Sequence, residues 1–340
     1  MPLRLTAEVL ALETRHPFVI ARGGGSTHRV VSVRLSDGDG EGWGEAAPSA
    51  YYGETPETVQ SALAALAPYL PADPFALETA EAEFRRRAPR DAAARAALSA
   101  ALHDLVGKRL GRPLWQMWGL DPARAPLSSF TIALGTLDDL REKVREADPY
   151  PILKVKLGTE RDEDILRTIR DVTDKPLRVD ANAAWTRERA LAMLPVLRGY
   201  GVEFLEQPLA REDLEGLALV RRQGVLPVVV DESCVVATDI PAIARAGAAD
   251  GINIKLAKCG SLREALRMIA TARAHNLLVM VGCMIESSLG ITAAAHLAPL
   301  VDAADLDGAA LTVNDPFVGA TIAGGQIRLP EGPGLGIRRR

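Results

Sequence analysis

The sequence predicts an α/β protein whose main part is a parallel barrel, preceded by a smaller α+β segment. Two observations carry this prediction. From about residue 127, short runs of β-branched and aliphatic residues alternate with charged, helical stretches. Ionisable residues recur about every 25 residues at or near the ends of these runs. One strand and one helix in each repeat is typical of a βα array, and eight such units close into a barrel.

The first segment contains strands and then helices. Residues 30–35 alternate between apolar and polar, and the glycine-rich residues 37–42 indicate a turn, which together predict a hairpin. Residues 54–111 have helical spacing, with an alanine-rich run at 90–110. Strands followed by helices favour an α+β arrangement, and the proline-containing residues 121–126 mark its end.

Eight apolar runs are predicted to form the strands of the barrel. A flat, doubly wound sheet is the structural alternative, and it is disfavoured because no GxGxxG sequence follows a first strand. Six positions at or near strand ends mark the repeat: Lys154, Asp180, Glu206, Asp231, Lys255 and Val281. The predicted strands are residues 127–134, 152–157, 177–179, 202–205, 228–230, 251–254, 277–281 and 303–306.

Composition and charge exclude several classes of protein. The 340 residues are 48% hydrophobic and 25% charged, which excludes a disordered chain, and a net charge of −4 argues against a general nucleic-acid binder. No apolar run is long enough to span a membrane or to serve as a signal peptide. The three cysteines, an odd number without a CxxC pair, argue against a disulfide framework or a thiolate zinc site. We therefore expect a protein of the reducing cytoplasm.

Three carboxylates end successive strands of the predicted barrel. Asp180, Glu206 and Asp231 lie at the carboxyl ends of their strands, the edge at which barrel active sites are built. Three oxygen ligands without histidine or cysteine suit Mg²⁺ rather than zinc. The alternative is that each carboxylate pairs with a lysine across the barrel.

Two lysines flank the three carboxylates. Lys156 and Lys255 would face a substrate from opposite sides, and a neutral lysine can remove a proton from carbon while the opposite, charged lysine returns one. Two bases on opposite faces invert a stereocentre. A solvated or phosphate-binding lysine and a Schiff-base lysine, as in a metal-free aldolase, are the other interpretations. A barrel that only binds a ligand is a non-enzymatic alternative.

The strand-end motifs together resemble the enolase superfamily, in its muconate-lactonizing-enzyme subgroup. The motifs are Lys154-Val-Lys156, Asp180-Ala-Asn182, Glu206-Gln-Pro208, Asp231-Glu-Ser233 and Lys255. The resemblance implies a modified (β/α)7β TIM barrel with an α+β capping domain, formed by the N-terminal segment and the C-terminal tail. The implied divisions are residues 1–122 for the cap, 123–311 for the barrel with the active site, and 312–340 for the returning tail.

Further residues resemble those of dipeptide epimerases within this subgroup. The Asp305-Leu-Asp307 sequence at the last strand provides two carboxylates, which in those enzymes receive the amino terminus of the substrate. Cys283 and Met284 resemble the end of their seventh strand. The same resemblance implies a substrate-binding role for Arg22, Thr131 and Lys154. It also implies that Glu286 braces Lys255 or lines the cavity.

The resemblance implies a Mg²⁺-dependent isomerase that epimerises dipeptides at the α-carbon of the C-terminal residue through a metal-stabilised enediolate. L-Ala-L-Glu from cell-wall peptide would be the substrate if Arg22 recognises glutamate. Racemisation of N-acylamino acids, o-succinylbenzoate synthesis and cycloisomerisation are the alternatives within the subgroup. Their substrates lack a free ammonium, so Asp305 and Asp307 argue against them. We expect a small-molecule substrate, no nucleic-acid or membrane partner, and assembly as a homo-oligomer.

Overall fold

A computed structural model describes residues 2–340. The N-terminal segment is an antiparallel sheet covered by helices. In this sheet β2 lies between β1 and β3. Its strands are β1 (Arg4–Ile20), β2 (Gly23–Ser36) and β3 (Glu41–Ala46), and its helices are α1 (Pro56–Leu66), α2 (Leu77–Arg87), α3 (Ala92–Leu110) and the short α4 (Leu114–Met117).

The β1–β2 hairpin is long and is interrupted once. Pairing runs from Arg4↔Ser36 to Glu13↔Thr27 and resumes at Phe18↔Gly25, so residues 14–17 bulge opposite Ser26. The short piece beyond the bulge, which we call the hairpin tip (residues 18–25), reaches the barrel, where the Leu134 amide donates to the Val19 carbonyl at 2.9 Å. The hairpin therefore spans the distance between the cap core and the barrel mouth.

Eight parallel strands form the barrel within residues 2–340, in sequential order from β4 to β11. Its first and last strands meet at a Ser128↔Ala304 bridge, where the Ser129 amide donates to the Ala304 carbonyl at 3.0 Å. The strands are β4 (Phe130–Ile132), β5 (Leu153–Lys156), β6 (Leu177–Asp180), β7 (Val202–Glu206), β8 (Val228–Val230), β9 (Gly251–Ile254), β10 (Leu278–Gly282) and β11 (Ala303–Asp305). The helices are α5 (Leu137–Glu146), α6 (Asp162–Arg170), α7 (Arg187–Gly199), α8 (Leu214–Arg222), α9 (Ile240–Ala246), α10 (Leu256–Cys259), α11 (Leu262–Ala274) and α12 (Ser288–Ala295).

This architecture confirms the predicted α/β class, the barrel and the antiparallel N-terminal sheet, and it excludes the flat doubly wound sheet. The first barrel strand is shorter than the predicted residues 127–134. Leu127 is 40% exposed, and the Ser128 hydroxyl is a hydrogen-bond acceptor for the Leu306 amide. The residues before Phe130 therefore close the barrel seam instead of extending the strand.

The C-terminal residues return to the cap. The Val313 amide donates to the Glu13 carbonyl at 2.8 Å, and Arg339 pairs with Glu8. The tail strands are β12 (Phe317–Val318), β13 (Thr321–Ala323), β14 (Gln326–Arg328) and β15 (Arg338–Arg339). These contacts agree with a tail that joins the cap, while the boundaries at residues 122 and 311 stay predictions.

Aliphatic side chains and alanines build both cores. One core fills the barrel and its helix layer, and another lies between the cap sheet and α3. Glycine allows α3 to approach the sheet closely, because a Cβ at Gly44 would lie 2.0 Å from the Ala97 carbonyl oxygen. Within residues 2–340, no helix has the length and apolarity needed to cross a membrane.

Candidate active site

A row of charged side chains crosses the carboxyl ends of five neighbouring strands. In the sheet register, Lys156 of β5 lies beside Asp180 of β6, which lies beside Glu206 of β7. Asp231 follows β8 directly, and Lys255 follows β9. Strands of parallel sheets end at the same edge, so spacing along the sequence becomes proximity in the barrel mouth.

Each carboxylate of this row contacts a lysine ammonium. Lys156 Nζ lies 2.6 Å from Asp180 Oδ2, and Lys255 Nζ lies 2.7 Å from Asp231 Oδ2. Glu206 Oε2 lies 2.8 Å from Lys154 Nζ. The side chains are almost completely buried, so these charges depend on one another for compensation.

The pKa values of the carboxylates reflect this pairing. Burial alone would raise the pKa of Asp180, but Lys156 and Lys154 lower it to about 2. The pKa of Asp231 is also lowered, because Lys255 and Lys258 outweigh its burial. Glu206 differs: burial and the neighbouring Asp180 raise its pKa to about 7. Among the three carboxylates of the row, Glu206 is therefore the one whose charge is incompletely compensated.

The oxygens at this edge of the barrel suit a hard cation. Among residues 2–340, no three histidine, cysteine, aspartate or glutamate side chains are already arranged to hold a metal ion, because lysines occupy the carboxylates. Three buried oxygens nevertheless accept no hydrogen bond from the described residues. They are Asn182 Oδ1, Glu232 Oε2 and Asn253 Oδ1. Oxygen ligands alone, with acceptors in excess of donors, are the chemistry that Mg²⁺ prefers.

The backbone is strained at two of these strand ends. Within the described part of the chain, four non-glycine residues have positive φ angles, and three of them lie here: Asn182 at 48°, Ala183 at 62° and Gln207 at 32°. Such conformations persist only where surrounding contacts impose them. The Gln207 side chain does so by accepting from the Asp231 amide at 2.9 Å, which fixes the loop after β8.

One cavity of about 700 Å³ opens above this edge, between the barrel mouth and the cap. Lys156 and Lys255 both line it, together with Asp231 from the carboxylate row. Lys154 lies deeper and is 1% exposed, because it precedes Lys156 by two residues on the same face of β5. Its ammonium contacts Glu206 and Asp305, and the predicted contact of Lys154 with a substrate stays a prediction.

Asp305 and Asp307 line the same cavity but have different surroundings. Asp305 accepts from Lys154 and from the Ser129 hydroxyl, both at 2.8 Å, and Lys154 lowers its pKa against the effect of burial. Asp307 accepts from the Thr131 amide at 2.6 Å. Burial and the nearby Asp305 raise the pKa of Asp307 to about 7. A second cation placed here would compensate Asp307.

Arg22 reaches the cavity from the hairpin tip. Its guanidinium lies 2.7 Å from Glu232, donates to the Asn182 carbonyl and stacks on the Tyr51 ring at 4.3 Å. Arg22 therefore lies at the barrel mouth, and its role in substrate binding stays a prediction. The sequence did not indicate its pairing with Glu232.

Cys283 and Met284 lie in the cavity wall after β10. Glu286 accepts from the Met284 amide at 2.8 Å, and burial raises the pKa of Glu286 to about 7. It therefore shapes the turn that carries these two wall residues.

Sequence reasoning missed two polar residues of the site. Asn253 donates to Glu206 at 2.8 Å, and Lys258 donates to Asp231. Their signals are present in the sequence: Asn253 precedes Lys255 by two residues, which places both on one face of the strand, and Lys258 follows Lys255 by three.

Comparison with known families agrees with this geometry. Residues 4–119 match the N-terminal domain of the mandelate racemase / muconate lactonizing enzyme family, and residues 137–340 match its enolase C-terminal domain-like partner. The L-Ala-D/L-Glu epimerase of Bacteroides thetaiotaomicron is 42% identical over 339 residues, which cover 99% of this chain and 88% of that protein.

Two solved structures are closely similar. The dipeptide epimerase of Enterococcus faecalis V583, complexed with Mg and the dipeptide L-Leu-L-Tyr, superposes with a TM-score of 0.94 at 31% identity and with full coverage of both chains. The N-succinyl Arg/Lys racemase of Bacillus cereus has the same TM-score of 0.94 at 27% identity, covering 100% of this chain and 96% of that one. Fold similarity therefore does not separate free dipeptides from N-acylated substrates.

Proposed function

Because the chain belongs to the mandelate racemase / muconate lactonizing enzyme family of the enolase superfamily, we propose that it is a Mg²⁺-dependent isomerase that epimerises dipeptides at the α-carbon of the C-terminal residue. One observation carries the proposal: Lys156 and Lys255 line a single cavity from strands β5 and β9, on either side of the carboxylate row. The epimerase of Bacteroides thetaiotaomicron supports L-Ala-L-Glu as the first substrate to test.

Asp180, Glu206 and Asp231 would hold the Mg²⁺ ion. Their oxygen-only donor set and the unpaired buried oxygens around them support this assignment. When bound, Mg²⁺ supplies stabilisation of the negative charge that develops on a substrate carboxylate. It would also take the place of the lysines as the cation next to these carboxylates.

Lys156 and Lys255 are the proposed bases. One of them takes the α-proton as the C–H bond breaks, and the electron pair stays on the substrate. The other delivers a proton to the opposite face, which inverts the centre. Lys154 lies deeper in the barrel than Lys156, and its Nζ is 2.8 Å from a carboxylate oxygen of both Asp305 and Glu206. Its proposed role is therefore to position carboxylates.

The remaining residues would recognise the two ends of the substrate. Asp305 and Asp307 would receive the amino terminus, since Asp307 is buried without a cation of its own. Thr131 orients Asp307 through its amide, and Cys283 and Met284 form the adjacent wall.

Arg22 would contact the side chain of the second residue. Its guanidinium has five N–H donors, so a substrate carboxylate can bind beside Glu232.

We further propose that the enzyme works in the cytoplasm, which the three free cysteines support. Assembly as a homo-oligomer is part of the same proposal, and a substrate complex of the Enterococcus faecalis relative supports a dipeptide as its small-molecule partner.

The test is α-proton exchange in D₂O with each epimer of L-Ala-Glu, followed by mass spectrometry. The wild type exchanges both epimers. Lys156→Ala is expected to block exchange from one epimer and Lys255→Ala from the other, each by roughly 10²–10⁴-fold, because each base serves one face. Equal residual exchange of both epimers in each variant contradicts the two-base proposal.

A further inference from the structure

A carboxyl group of the cap binds the loop that follows β10. This loop, which we call the wall loop (residues 283–287), carries Cys283 and Met284 of the cavity wall. Glu45, in β3, is buried and accepts from the Ser287 amide at 2.9 Å and from the Ser287 hydroxyl. Ser287 is also the residue that caps the N-terminus of α12. One cap side chain therefore fixes the point where the wall loop passes into a barrel helix.

The wall loop also contacts the backbone next to Asp307. A Cβ at Gly308 would lie 2.5 Å from the Met284 carbonyl oxygen and 3.2 Å from Cys283 Sγ, so this position has no room for a side chain. The loop and the chain that carries Asp307 are therefore packed directly against each other. If the wall loop lost its contact with Glu45, Asp307 would lose part of the surface that holds it in place.

The contact of Glu45 with Ser287 does not require a charged side chain. A Cβ at Gly290 would clash with oxygens of both Glu45 and Glu286, so the two carboxyl groups are close neighbours. Two adjacent buried carboxyl groups do not both ionise readily. Burial and the nearby Glu286 raise the pKa of Glu45 to about 8, and the neutral form therefore predominates at pH 7. A neutral side chain of the same length should keep both contacts with Ser287.

We propose that Glu45 is a positioning residue, which holds the wall loop so that the cavity wall and Asp307 meet the amino-terminal residue of the substrate. Glu45 acts through Ser287 and does not itself line the cavity among the described residues. This inference rests on the proposed function. Because the two proposed bases lie on other strands, loss of the contact should weaken substrate binding more than proton transfer.

The test uses three variants of Glu45 and one matched control. Glu45→Gln keeps the length of the side chain, Glu45→Ala removes the group, and Glu45→Asp keeps the carboxyl group one methylene short of Ser287 and replaces the alanine variant if that is poorly folded. Asp104→Ala is the control, because Asp104 is also buried and accepts from the amides of Trp43 in β3 and Leu335 in the tail.

Steady-state epimerisation of L-Ala-L-Glu is measured with saturating Mg²⁺. Glu45→Ala and Glu45→Asp should raise KM about tenfold and lower kcat less than about threefold, because they lose hydrogen bonds that hold the loop and not the bases. Glu45→Gln and Asp104→Ala should keep the KM of the wild type. A KM raised equally by glutamine and by aspartate, or by Asp104→Ala as much as by Glu45→Ala, overturns the inference.

A second readout does not depend on activity. Cys283 lies in the cavity wall, whereas Cys234 and Cys259 are buried. Its alkylation by iodoacetamide in the substrate-free protein is followed by peptide mass spectrometry. Cys283 should react several-fold faster in Glu45→Asp than in the wild type, and at the wild-type rate in Glu45→Gln. Equal rates in Glu45→Asp and the wild type overturn the inference, whereas a wild type that epimerises no dipeptide refutes the proposed function and leaves the labelling result intact.

Discussion

Replacing Asp307 by asparagine separates recognition of the substrate amino terminus from the chemistry. Asp307 has a pKa of about 7 against an ordinary value of 3.8. Burial and the nearby Asp305 therefore disfavour the charged form of Asp307 in the free protein. A substrate ammonium would stabilise the charged form, because a hydrogen bond to a charged group contributes roughly 1.5–3 kcal/mol. Asp307→Asn should therefore lower kcat/KM for L-Ala-L-Glu by about 10- to 100-fold.

The assay compares the free dipeptide with its N-acetyl derivative in the wild type and in Asp307→Asn. The wild type should prefer the free dipeptide, and the variant should lose most of that preference. Asp305→Asn is a poorer choice, because Asp305 also binds Lys154. Equal activity of the wild type on both substrates would refute the reasoning and move the enzyme to racemisation of N-acylamino acids.

The same group predicts opposite effects of pH on binding and on stability. Below pH 7 the wild type protonates Asp307, so the KM for the free dipeptide should rise relative to that for the N-acetyl derivative. The pKa of Asp307 is higher in the folded than in the unfolded chain, so between pH 4 and 7 the folded chain binds more protons at this residue. The contribution of Asp307 to the free energy of unfolding therefore falls as pH rises through this range. Asp307→Asn removes that loss and should raise Tm at pH 8 but not at pH 4. A lower Tm for the variant at pH 8 would contradict the buried, uncompensated carboxylate.

Three further outcomes are expected. Chelation should abolish epimerisation and Mg²⁺ should restore it, with Asp231→Asn much less active at any Mg²⁺ concentration; full activity in excess chelator would rule out the metal and favour a Schiff-base mechanism. Arg22→Met should lower kcat/KM for L-Ala-L-Glu relative to L-Ala-L-Leu by about tenfold or more, and an unchanged ratio would exclude Arg22 from side-chain recognition. Phe84→Ala, at a fully buried position of the cap, should cost roughly 3–5 kcal/mol in denaturant unfolding, and a loss below 1 kcal/mol would show that the cap core is poorly packed.

The barrel was predictable because its period is encoded in local pattern. Each unit contributes one buried apolar run and one amphipathic helix, and parallel strands bring their carboxyl ends to one edge. This is sufficient to place Asp180 beside Glu206 without knowledge of any tertiary contact. The seam at Ser128 was not predictable in this way, because its hydrogen bonds join residues from opposite ends of the barrel sequence.

Depth within the barrel and contacts from the cap were harder to predict. Lys154 and Lys156 share a face of β5, but a spacing of two residues separates them by roughly 7 Å along the strand. Periodicity therefore assigns both to the interior without showing that only Lys156 lines the cavity. The ion pair of Arg22 with Glu232 joins the hairpin tip to the barrel, and no local sequence pattern indicates which charged side chains of these two segments meet.

The bulge at residues 14–17 has a mechanical consequence for access to the cavity. If β1 and β2 were paired without interruption, the tip would be rigidly connected to the rest of the cap sheet. Opening the cavity would then require the whole cap sheet to move relative to α3. Pairing stops at Glu13 and resumes at Phe18, and Pro17 has no amide to donate across the gap. We therefore predict that bending is concentrated at this joint, and that the hairpin tip with Arg22 moves outward while the cap sheet stays packed on α3. Substrate entry would then break the contacts of the tip with Leu134, Asn182 and Glu232 and would leave the cap core intact.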